Sequence, residues 1–72
     1  MTKEERAIWA DVYRYTDKYL NMPVLNEGKY FKSAALEAGA LNRKHNSSLC
    51  NALTLAAYDY ISKVKTTDNK ED

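Results

Sequence analysis

Nucleophilic chemistry requires a thiol or hydroxyl, a base within hydrogen-bond reach and a group that orients that base. In these 72 residues the one cysteine is Cys50 and the one histidine is His45. They flank a turn, and Cys50 falls on the core-facing side of the helix that follows. A thiol buried among apolar side chains is held in its unreactive protonated form, so Cys50 is expected to be structural. Two such ligands also leave a zinc site within one chain incomplete. The carboxylate pairs carry no stronger signal. Glu4-Glu5 opens a helix, where negative charge complements the dipole, and Glu71-Asp72 closes the chain. Neither pair lies in a pocket-forming segment that would separate two pKa values for acid–base work. Gly28 and Gly39 stand alone, without the spacing of a phosphate-cradling loop. The chain is therefore read as non-enzymatic, with no catalytic, cofactor-binding or metal-binding residue expected.

The polar stretch Asn42-Arg43-Lys44-His45-Asn46 has side chains suited to phosphate contacts, which makes nucleic-acid binding one alternative function. Charge argues against it. Eleven Lys and Arg against ten Asp and Glu give +1 and a pI near 7.8, below the ~9 common among dedicated nucleic-acid binders. Ala35-x-x-x-Gly39 looks like the start of a helix-turn-helix, but His45 and Ser48 occupy positions where buried aliphatic residues should follow. Nothing approaches the ~20 apolar residues of a membrane span, and the charged segment MTKEERAIWA is not read as a signal peptide. The lone cysteine gives no sign of an oxidising compartment. A cytoplasmic protein is expected.

Three helices must position these residues. Thr2 to Glu5 has the form of a capping box, and no Gly or Pro interrupts the chain from there to Leu20. The first helix is expected over residues 3–20, with Ile8, Trp9, Val12, Tyr13, Thr16, Tyr19 and Leu20 facing inward. Pro23 stops it. A second helix is expected over 27–44, capped near Asn26, with Tyr30, Phe31, Ala34, Ala35, Ala38 and Leu41 inward; Gly39 either sits within it or ends it early. A serine-capped third helix, 48–65, turns Leu49, Cys50, Leu53, Ala56, Ala57, Tyr60, Ile61 and Val64 inward. The expected fold is all-α, a compact three-helix bundle forming a single domain over residues 1–65, with a flexible tail over 66–72. Six tyrosines against one phenylalanine suit a small core whose edge stays wet, because tyrosine buries its ring and keeps its hydroxyl at the boundary.

Some apolar residues miss the inward arcs. Leu36 lies about 140° from Phe31, and Leu55 and Tyr58 lie about 160° and 140° from Leu53. Together they are expected to anchor a contact surface, with Lys29, Lys32 and Arg43 as its charged rim. The partner would be another protein or a second copy of the chain, and a homo-oligomeric structural protein is the other alternative function.

ERAIWADVYRYTDKY and NRKHNSSLCNALTLAAYDYI together resemble small uncharacterised helical proteins of prophages and mobile elements in Gram-positive, Clostridia-like bacteria. The shared features are the charged start leading into Ile8-Trp9 and Val12-Tyr13, the turn Asn42 to Asn46, and Ala57-Tyr58-Asp59-Tyr60. This similarity covers about half the chain and is least in GKYFKSAALEAGAL. It implies a phage or mobile-element accessory protein that acts by binding a macromolecule, and implies no activity.

Overall fold

The computed structural model describes residues 1–70, with side chains through Thr66. It contains α1 (Lys3–Asn21), α2 (Glu27–His45) and α3 (Ser48–Lys70), and no strand among the described residues. The all-α three-helix fold expected from the sequence is present. α3 passes the expected end at Lys65. The expected tail falls, from residue 67 on, on side chains outside the described residues, and Glu71 and Asp72 lie wholly outside them.

Each helix start is set by a side chain that satisfies a backbone N–H left orphaned by the first turn. Thr2 Oγ1 accepts from the Glu5 N–H at 3.0 Å while Glu5 Oε1 accepts from the Thr2 N–H at 2.7 Å, completing the capping box. Asn26 Oδ1 accepts from the Lys29 N–H at 3.0 Å, and Ser47 Oγ from the Leu49 N–H at 3.1 Å. α2 does not end at Gly39, which keeps ordinary helical geometry within it. Its stop is Asn46, at φ 45° in the left-handed region, with its N–H bonded to the Asn42 carbonyl. Asparagine tolerates this conformation better than most residues with a Cβ.

Packing fixes the helix directions. Ile8 and Val12 of α1 pack with Cys50 and Leu53 of α3, while Tyr15 and Tyr19 further along pack with Ile61. α1 and α3 therefore run parallel, and α2 returns antiparallel to both. At the far end Lys65 Nζ donates to the Leu20 carbonyl at 3.0 Å, satisfying one of the acceptors exposed where α1 stops.

The inward faces differ in rotation from those expected. α1 buries Ile8, Val12, Tyr15 and Tyr19, a stripe with the i, i+4, i+7, i+11 spacing of one helix face. Trp9 and Tyr13, expected inside, are 49% and 70% exposed. On α3 the stripe is Cys50, Thr54, Ala57 and Ile61, leaving Tyr60 and Ala56 exposed. Ala35 of α2 is likewise exposed. The Tyr15 ring packs with residues of both other helices, whereas Tyr13 is mostly exposed. Tyr15, Tyr19, Tyr30, Phe31 and Tyr58 form a chain of rings with successive centroids 5.0–6.5 Å apart, mostly edge to face. The buried hydroxyls are all bonded: Tyr15 to the Ala34 carbonyl, Tyr19 to Ser33 and Glu37, Tyr30 to the Tyr19 carbonyl. Tyrosine here fills the centre of the core as well as its margin.

Candidate functional site

Between α2 and α3 runs an open groove lined by Ala35, Ala38, Gly39, Asn42, Ala52 and Leu55, and closed at one end by Tyr58. Its floor is low because four of those residues are glycine or alanine. Leu55 projects from its α3 wall with 72% of its surface exposed. Tyr58 behaves differently from Leu55. It is half-buried, with its ring 6.5 Å from that of Phe31, and so belongs partly to the core. Asn42 Nδ2 donates to Thr54 Oγ1 at 3.1 Å, tying the two walls together, while its buried Oδ1 has no partner among the described residues.

Leu36 stands beside this groove, on the crest of α2, 62% exposed. It shares a shallow hollow with Lys29, Lys32, Ser33 and Glu37. At helical spacing Lys32, Leu36, Gly39 and Arg43 form one stripe (i, i+4, i+7, i+11) along α2. The structure thus divides the anticipated contact residues. Leu55 and Tyr58 wall the groove and the Arg43 guanidinium lies near Gly39 on its floor, whereas Lys29, Lys32 and Leu36 line the separate hollow on α2. Lys29, Lys32 and Arg43 are exposed and form no ion pair among the described residues. Lys18, by contrast, is paired with Glu37 at 3.0 Å, which raises its pKa.

The turn residues considered for phosphate contacts are largely engaged within the chain. Lys44 Nζ lies 2.9 Å from Asp11 Oδ2. His45, only 5% exposed at its side chain, has Nε2 2.7 Å from Asp11 Oδ2 and Nδ1 2.8 Å from Glu4 Oε2. Asp11 also takes Arg14 at 2.5 Å. Asn42 is spent on Thr54 and Asn46 caps the helix, so Arg43 keeps the most freely presented charge of the five. With three cationic donors around it, His45 first and Lys44 second, the Asp11 carboxyl is pulled down to about 2. The same contacts, Asp11 before Glu4, raise the pKa of His45.

No family model matches the chain, and neither a curated protein nor a solved structure does.

Cys50 and His45 do not assemble into a nucleophile and base. The Cys50 thiol is fully buried and directs its Sγ at the Leu41 carbonyl, 3.6 Å away. Burial first, then the charges of Asp11 and Glu4, push its pKa up. Both ring nitrogens of His45 face carboxylates. Among the described residues no group of His, Cys, Asp and Glu has the arrangement of a metal site, and no helix is long and apolar enough to cross a membrane.

Asp11 and Glu4 are partners of His45 that helical spacing does not reveal, since Glu4 also suits the dipole at the start of α1. One signal was present. A short connection after α1 sends α2 back antiparallel, so its basic end (Arg43-Lys44-His45) must return to the acidic start of α1.

Proposed function

We propose that this chain is a non-enzymatic helical protein whose α2–α3 face binds a protein partner, receiving from it an amphipathic helix with acidic side chains. The observation that carries this is the groove itself: a floor of Ala35, Ala38, Gly39 and Ala52 and an exposed Leu55 on one wall, with Leu36 and the exposed Lys29, Lys32 and Arg43, which form no ion pair among the described residues, on the outer side of α2. Small residues let a third helix approach closely, and the leucines offer apolar anchors of the kind that carry most interface energy. Lys29, Lys32 and Arg43 select carboxylates on the incoming segment and steer its encounter. The resemblance of the flanking segments to prophage and mobile-element proteins supports an accessory role, played in the cytoplasm, against a host or phage protein.

The test is a pull-down from host lysate with wild type, Leu36→Asp and Leu55→Asp side by side, with cross-linking at Lys29 and Lys32 to locate any captured protein. Loss of capture by both variants with unchanged helical circular dichroism, and cross-links to an acidic helix, is the expected result. Unfolding of either variant would make that leucine a core residue and overturn the face assignment. Light scattering that finds a concentration-dependent dimer abolished by Leu55→Asp would assign the groove to a second copy. Saturable binding to duplex or single-stranded DNA at low salt, lost steeply as salt rises, would assign the cations to phosphates.

A further inference from the structure

Among the described residues, His45 is the one ionisable side chain held between two carboxylates from another helix, at 2.7 and 2.8 Å. Each carboxylate can only accept, so both ring nitrogens must donate, and only the imidazolium carries two N–H groups. The ring closes a contact between Glu4 in the first turn of α1, Asp11 two turns on, and the last residue of α2. The ionisable groups that face it or its two carboxylates, among the described residues, come from all three helices. α1 contributes Glu4, Asp11 and, through Asp11, Arg14. α2 contributes Lys44, also on Asp11. α3 contributes the neutral Cys50 thiol.

The two carboxylates are not equivalent. Asp11 is 11% exposed and held additionally by Lys44 and Arg14; Glu4 is 60% exposed, with no second cation among the described residues. A neutral imidazole keeps one N–H and turns a lone pair toward the other acceptor, which repels a carboxylate at hydrogen-bond distance. The held partner keeps the proton. We infer that His45 is a pH-operated clasp on the N-terminal end of α1: as imidazolium it grips Glu4 and Asp11 together, and on deprotonation it keeps Asp11 through Nε2–H and lets Glu4 go. The proton passes to solvent, and no bond other than N–H is broken. The loosened element is the first turn of α1, where Thr2 and Glu5 then hold the helix start by themselves.

The direction follows from linkage. Both contacts raise the histidine pKa in the folded chain above its ordinary 6.5, so the clasp is fully closed below 6.5 and opens as pH rises through the raised value.

Because the chain has a single histidine, long-range proton–nitrogen NMR of the imidazole reads it without ambiguity. The expected spectrum shows both nitrogens protonated at pH 6, a titration midpoint above 6.5, and in the neutral ring the proton on Nε2. Amide exchange at Arg6 to Ile8, corrected for its intrinsic pH dependence, should accelerate about tenfold across that midpoint in wild type. It should already be fast and flat in Glu4→Gln, whose His45 midpoint falls toward 6.5. A midpoint at or below 6.5 in wild type, a neutral ring protonated on Nδ1, or amide exchange in Glu4→Gln that keeps the wild-type pH step would overturn the clasp. The wild-type tautomer decides the matter even if Glu4→Gln does not fold.

Discussion

The Tyr15 hydroxyl on α1 donates to the Ala34 backbone carbonyl on α2 at 3.0 Å, with both residues buried. That carbonyl already lies within a helical ladder, so the phenol adds a second bond between two elements. Tyr15→Phe keeps the ring and deletes only the donor, without orphaning a group that has no other partner. A loss of about 0.5–1.5 kcal/mol is expected, read as a lower urea midpoint with an unchanged slope. Burial holds the Tyr15 pKa far above its ordinary 10. Folding therefore favours its neutral form, a contribution present below pH 10 and lost above it. Tyr15→Phe should accordingly flatten the alkaline loss of stability.

The rotation of α1 and α3 separates two classes of apolar residue. Ile61→Ala, which removes fully buried volume, should cost about 2–5 kcal/mol, a large share of the total for so small a domain. Trp9→Ala should cost no more than about 1 kcal/mol. Wild-type tryptophan fluorescence should be readily quenched by acrylamide in the native state. Poor quenching, or a Trp9→Ala cost matching that of Ile61→Ala, would return Trp9 to the core.

Gly39 has helical geometry, and a Cβ built there meets only the tip of the Arg43 side chain, at 3.6 Å. Nothing in the fold requires glycine at this point of α2. Gly39→Ala should raise stability by about 0.5–1 kcal/mol and the melting temperature by about 2–8 °C, measured by calorimetry. The same methyl fills part of the groove floor, so the stabilised variant should capture less partner.

Asp11→Asn leaves Lys44, His45 and Arg14 without their shared countercharge and should cost about 1–3 kcal/mol at neutral pH. In wild type the Asp11 pKa falls from 3.8 to about 2 on folding. Its contribution is thus present above 3.8 and disappears as pH drops through about 2. Acid titrations followed by circular dichroism should show wild type losing stability across that window more steeply than Asp11→Asn.

The three helix starts and the end of α1 were legible because their signals are local, whereas no such signal marks the end of α3. Thr2 with Glu5, Asn26, Pro23 and the serines before Leu49 each act within one turn of where they stand. Helix rotation is not local. Tyr13 and Tyr15 lie about 200° apart on one helix, so the arc admits one, and amphipathic tyrosine gives little basis for choosing. Trp9 and Tyr13 draw the apolar arc of α1 away from Tyr15, and Tyr60 draws that of α3 away from the polar Thr54. Thr54 is polar yet buried because its hydroxyl bonds the Cys50 and Asn51 carbonyls of its own helix. Leu36 and Leu55 were legible as outward residues because each lies far from its helix's core stripe. The His45 cluster was hidden for another reason: its members are separated by up to 41 positions, and only the antiparallel return of α2 brings them together.

The parallel course of α1 and α3, with Lys65 fastened to the Leu20 carbonyl, also sets how the domain bears load. Traction between the start of α1 and the far end of α3 slides the two helices along each other rather than peeling them apart. The apolar pairs from Ile8–Cys50 to Tyr19–Ile61 then resist together instead of one after another. Hung between two tethers, this bundle is loaded in shear.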